Sequence, residues 1–143
     1  MPDFRRVTDD FYVAPQIEEA DVRAAAAAGF RTLVNNRPDG EQPGQLPSIA
    51  SERASVEAGL DFRAIPVSGD PTPQAVAAMQ AVLQDAPRPV LAYCRSGTRS
   101  VKLWAMASVK SGAVSPEAAI EAARGAGYDL GPMAATLRAL RNA

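Results

Sequence analysis

Val90-Leu91-Ala92-Tyr93-Cys94-Arg95-Ser96-Gly97-Thr98-Arg99-Ser100 is the stretch from which the rest of the chain is read. Its first four residues form an uninterrupted apolar run, the pattern of a strand buried on both faces. From about Arg99 the sequence reads as a helix to Lys110, with Gly112 following it. A buried strand running through a short polar loop into a helix is the unit of an α/β domain, and there ligands gather at the carboxyl ends of the strands. Cys94, the single cysteine, therefore stands where a helix start offers unpaired N–H groups and a partial positive charge. That setting suits an anion.

Outward from this unit the same alternation continues. Phe11 to Ala14 reads as a short strand, and residues 17–28 as an acid-started, alanine-rich helix closed by Gly29. Thr32 to Asn35 is a second buried strand. The segment 36–47 holds Pro38, Gly40, Pro43, Gly44 and Pro47 and must be a long loop. Ser48 is placed to cap a helix running to about Ala58, and Phe62 to Val67 reads as a third strand. Thr72 followed by Pro73 is a cap and first-turn signature for a helix over 74–86. Further helices follow from Ser115-Pro116 and over about 132–141. The prediction is one α/β domain over 1–143, with a small, mostly parallel central sheet of about four to five strands flanked by helices on both faces.

Composition removes whole classes of chemistry. With no histidine in 143 residues, a Ser-His-Asp triad, a Cys-His pair and a histidine-ligated metal are impossible. One cysteine excludes an intrachain disulfide and a thiolate zinc cluster, and fits a reducing compartment. Neither metal nor cofactor is required by what remains. The formal net charge of -1 leaves no global field to hold nucleic acid or an anionic membrane. The start lacks the order of a secretory signal, and no apolar run approaches the ~20 residues of a membrane span. A cytoplasmic protein is expected, its oligomeric state unspecified.

The loop after the strand then carries the chemistry. A helix start flanked by Arg95 and Arg99 favours the thiolate of Cys94, which needs no histidine base to act as a nucleophile. Gly97 supplies backbone freedom for a tight loop, and the amides of Arg95, Ser96, Gly97, Thr98 and Arg99 can form a concavity for an oxyanion. Arg99 can hold that anion bidentately. Ser100 can donate to the sulfur and keep it a good leaving group. The bland alternative is an inert buried cysteine beside an ordinary turn. Trp104, Leu103 and Met106 on the following helix read as core anchors.

Cys94 to Ser100 is similar to the catalytic loop of cysteine-dependent phosphatases and of rhodanese-type sulfurtransferases. Val34-Asn35-Asn36-Arg37-Pro38-Asp39-Gly40-Glu41 and Ile65-Pro66-Val67-Ser68-Gly69, taken with that loop and Leu103-Trp104, resemble the phosphatase-like domain family of the beta-lactamase hydrolase-like proteins. The resemblance runs from Phe11 to about Leu130 and implies a phosphatase-like fold with Cys94 at its centre. It further implies a thiolate that attacks phosphorus and forms a phosphocysteine, an arginine and loop amides that stabilise the oxygens, and an acid for the leaving group. Asp70, in Ser68-Gly69-Asp70-Pro71, stands where that acid would be, the alternative being a turn ahead of the Thr72 cap. Arg37 follows the second strand and either shapes the pocket or contacts substrate, the alternative being a Pro38-Asp39-Gly40 turn with Arg37 paired to a carboxylate such as Glu41.

Two features depart from the phosphatase pattern. Four residues separate Cys94 from Arg99, one fewer than in phosphatases of this kind, and Tyr93 replaces the usual histidine before the cysteine. The shorter loop resembles rhodanese. Three functions follow: a phosphatase-like hydrolase taking a small oxyanion or phosphorylated substrate; a sulfurtransferase carrying a Cys94 persulfide between a donor, thiosulfate or glutathione persulfide, and a thiol acceptor; or an anion-binding or redox-sensing module. Asp70 distinguishes the first two, since persulfide transfer need not use an acid there.

Overall fold

The computed structural model describes residues 2–142. Its strands are β1 (Arg5–Thr8), β2 (Phe11–Ala14), β3 (Thr32–Asn35), β4 (Asp61–Ala64) and β5 (Val90–Tyr93), in the sheet order β1-β2-β5-β3-β4. β1 and β2 form an antiparallel hairpin, and every other pairing is parallel. The helices are α1 (Glu19–Ala27), α2 (Ser48–Ala58), α3 (Pro73–Asp85), α4 (Thr98–Lys110), α5 (Pro116–Gly125) and α6 (Ala134–Arg141), with a 3-10 turn, Gly131–Met133, before the last. The α/β class, the mostly parallel sheet and the helices on both faces are as the sequence predicts.

β5 is central because all four of its residues are buried, and its alternation serves two cores. Val90 and Ala92 join Met79 and Val76 of α3, Trp104 and Val101 of α4 and Leu137 of α6 on one face. Leu91 and Tyr93 join Val22 and Ala25 of α1 and Ala54 of α2 on the other. Phe11 stacks on Trp104 with ring centroids 5.9 Å apart, so the expected anchoring role of Trp104 holds.

Three local readings change. β1 was not expected, because Arg5 and Arg6 mask an edge strand that buries only Val7. The third strand is shorter than 62–67: the N–H groups of Ile65 and Val67 still bond Asn35 O and Asn36 O, but Pro66 between them has no N–H to continue the ladder. Ser48 is the first residue of α2 rather than its cap, and its N–H donates to Asp39 Oδ1 of the preceding loop at 2.8 Å. The Thr72 cap forms as read, with Thr72 Oγ1 accepting from Ala75 N at 3.1 Å. Among the described residues no helix is long and apolar enough to cross a membrane.

Candidate active site

β5 delivers Cys94 to the carboxyl edge of the sheet, and the chain turns through Arg95, Ser96 and Gly97 into α4. Gly97 has φ +92°, a backbone conformation that costs an L side chain roughly 1–2 kcal/mol. A Cβ there would also stand 2.1 Å from Tyr128 Oη, so both conformation and space require glycine. The turn brings the Gly97 N–H onto Cys94 Sγ at 3.1 Å. Ser96 Oγ donates to Thr98 Oγ1 at 2.9 Å, and Gln16 N donates to Arg95 O at 3.2 Å, tying the loop to the end of β2. Tyr128 Oη donates to Ser96 O at 2.8 Å and accepts from Arg5 Nη1 at 2.9 Å. Cys94 itself is a free thiol, 0% exposed.

Arg99 is fixed from two sides. Its Nη1 donates to Glu41 Oε2 at 2.8 Å and to Val67 O at 2.8 Å, and its Nη2 donates to Glu41 Oε1 at 2.9 Å. A guanidinium has five N–H donors in a rigid fork. Three are used here, which leaves the Nε–H and one Nη2–H, two parallel donors along one edge, for a ligand. The Glu41 hydrogen bond is the main reason the Arg99 pKa is raised; burial opposes it, and the nearby Cys94 adds to it.

Glu41 also accepts from Arg37 Nε at 2.8 Å, so one carboxylate joins two arginines. The hydrogen bond from Arg99 is the main reason its pKa falls to about 2; burial opposes the shift, and the Arg37 hydrogen bond adds to it. Arg37 is 2% exposed, with Nη1 on Gln16 Oε1 and Nη2 on Gln42 Oε1, both at 3.1 Å. Three of its five donors are thereby engaged, and its link to Arg99 runs through Glu41. The Arg37–Glu41 ion pair that the sequence offered as the alternative is present. The Arg37 amide donates to Asn35 Oδ1 at 2.8 Å, which sets the start of this loop.

The remaining expected residues are placed as follows. Arg95 and Ser96 are exposed, and Thr98 and Arg99 are partly buried on the first turn of α4. Ser100 is fully buried, and its hydroxyl has no partner among the described residues. Asp70 is exposed in the bend after β4, three residues beyond the carbonyl that Arg99 holds, and no ion pair among the described residues engages it. Tyr93 points to the opposite face, where its Oη meets Ser51 Oγ at 2.5 Å and burial pushes its pKa up to about 12. A cleft of about 580 Å³ lies under Trp104 between α3 and α4, at the other end of the strands from Cys94. Sequence reasoning named Glu41 as a partner of Arg37 but missed its reach to Arg99, and missed the parts played by Gln16, Arg5 and Tyr128. The only signal for Glu41 was its place four residues after Arg37; the others had none.

Comparison with known proteins follows the same lines. Residues 3–113 match the family model described as the beta-lactamase hydrolase-like protein, phosphatase-like domain. A curated beta-lactamase hydrolase-like protein of Agrobacterium fabrum is 33% identical over 126 residues, which are 87% of this chain and 29% of that protein. The chain thus spans under a third of that relative's length. A candidate phosphatase of Neisseria meningitidis Z2491, solved as a crystal structure, is 29% identical with a TM-score of 0.85, covering 99% of this chain and 100% of the other. The kinase associated phosphatase, solved with a serine in place of its catalytic site cysteine, shares the fold at 16% identity and a TM-score of 0.76, over 99% and 94% of the two chains.

Proposed function

Because the chain belongs to the family of the beta-lactamase hydrolase-like protein, phosphatase-like domain, we propose that it is a phosphatase-like hydrolase in which Cys94 is the nucleophile and Arg99 with the loop amides holds the oxyanion. The observation that carries this reading is the two-donor edge that Glu41 and Val67 leave open on Arg99, beside a cysteine whose sulfur already accepts the Gly97 N–H. Donors fixed before the reaction stabilise developing charge without reorganising.

In this mechanism the Cys94 thiolate attacks phosphorus and forms an S–P bond as the bond to the leaving oxygen breaks. Asp70 protonates that oxygen. Water then breaks the S–P bond of the phosphocysteine, passing a proton to the Asp70 carboxylate and releasing phosphate and thiolate. Ser100, buried with an unpartnered hydroxyl at the start of α4, supplies a donor for the departing sulfur. Sulfur transfer has only the short loop in its favour, and the kinase associated phosphatase, which has a catalytic site cysteine on this fold, supports the hydrolytic reading.

Intact mass after exposure to thiosulfate or glutathione persulfide, measured beside aryl phosphate hydrolysis on wild type and Cys94→Ser, tests the reading. Cys94-dependent phosphate release without stable sulfur loading is expected. A gain of one sulfur atom that needs Cys94, with no phosphate release, would replace the hydrolase by a sulfurtransferase. Oxyanion binding without turnover would leave a binding module.

A further inference from the structure

A single peptide group connects the cysteine to the far end of the chain. In a trans peptide the C=O and N–H point in opposite directions. For the Ser96–Gly97 group, the carbonyl side faces Tyr128, whose hydroxyl donates to Ser96 O at 2.8 Å, and the N–H side faces Cys94 Sγ at 3.1 Å. Tyr128 Oη in turn accepts from Arg5 Nη1 at 2.9 Å, and the Arg5 guanidinium carbon lies 5.3 Å from the tyrosine ring centroid. Arg5 is held bidentately by Asp3, at 3.0 and 2.7 Å.

We propose that Tyr128, backed by Arg5, is a positioning residue that fixes the Ser96–Gly97 peptide with its N–H on the Cys94 sulfur. Two physical points support it. Glycine visits both hands of φ at little cost, so Gly97 alone does not prevent this peptide from rotating and turning its carbonyl oxygen toward the thiolate. A donor clamped on that carbonyl does. Hydrogen bonds in series also polarise one another, so the Arg5 donor on Tyr128 Oη strengthens the Tyr128 bond to Ser96 O and, through the peptide, the N–H that meets the sulfur. Neither residue touches substrate in this account. The proposal rests on Cys94 being the reactive group, as above, and holds for any reaction of its thiolate.

The test is the thiolate absorbance of the purified full chain as a function of pH, read as the difference from Cys94→Ser, which is unambiguous because there is one cysteine. Tyr128→Phe keeps the ring beneath Gly97 and removes only the hydroxyl. Its thiol inflection is expected to rise by about half to one pH unit, the equivalent of one ordinary hydrogen bond. Arg5→Gln, at a half-buried surface position, should move it in the same direction by less. An inflection unmoved in Tyr128→Phe, with circular dichroism unchanged, overturns the proposal; if that variant does not fold, an unmoved inflection in Arg5→Gln does so. The readout is independent of turnover. A chain without phosphatase activity that still shows the shift removes the hydrolase alone, and intact activity without the shift removes the relay alone.

Discussion

Replacing Glu41 by glutamine separates charge from shape at the arginine clasp. The carboxyl is held at about 2 against an ordinary 4.5. At ~1.4 kcal/mol per pKa unit the whole shift corresponds to about 3 kcal/mol. The Glu41 side chain is 29% exposed, and solvent screening reduces this to about 1–2 kcal/mol. Arg37, 2% exposed and left without a counter-charge, places the loss toward the upper end. The sign follows from linkage. A carboxyl whose folded pKa lies below its unfolded one stabilises fully above the unfolded pKa and loses that contribution as pH falls through the folded one. Urea unfolding should therefore find Glu41→Gln less stable by about 1–2 kcal/mol near pH 7, with the two chains converging as pH drops from about 4.5 toward 2. The same gap at both ends of that range, or none at neutral pH, would refute the idea that ionisation of Glu41 holds the clasp.

Gly97→Ala should cost about 2–4 kcal/mol in chemical denaturation, from its left-handed backbone and the clash with Tyr128 Oη together. In the double variant with Tyr128→Phe the loss should be smaller than the sum of the single losses, because the clashing atom is gone. Tyr93→Phe strands Ser51 Oγ in the core and should cost about 1–2 kcal/mol near neutral pH. Since burial raises the Tyr93 pKa from 10.0 to about 12, its contribution is complete below the unfolded value and is lost as pH rises between the two. The alkaline loss of stability in the wild type should shrink correspondingly in the variant.

Legibility in the sequence tracked how local each determinant is. β5, the Cys94 loop and α4 could be read because apolar runs, Gly97 and the helix that follows are neighbours in the chain. Thr72-Pro73 and Ser115-Pro116 were legible for the same reason, and both hydroxyls accept from the backbone as caps. Arg37 and Glu41 could be paired from their spacing, but nothing local showed that Glu41 would also reach Arg99, 58 positions away. Ser48 was misread because its helix start is satisfied by Asp39, nine residues earlier, rather than by a neighbouring side chain. β1 escaped because an edge strand needs only one inward residue, Val7, and its charged neighbours hide the alternation.

The link from Arg5 through Tyr128 to Ser96 spans 123 and then 32 positions of sequence. Contacts between parts so distant carry a large loop-closure entropy that must be met before they form. A partly folded chain, or one cleaved between α4 and Tyr128, would keep the cysteine and its neighbouring arginines but lose the clamp on the loop. On the proposed reading, the positioning of Cys94 is thereby tied to completion of the fold. On that reading a folding intermediate or a damaged copy lacks the Tyr128 donor behind its cysteine loop.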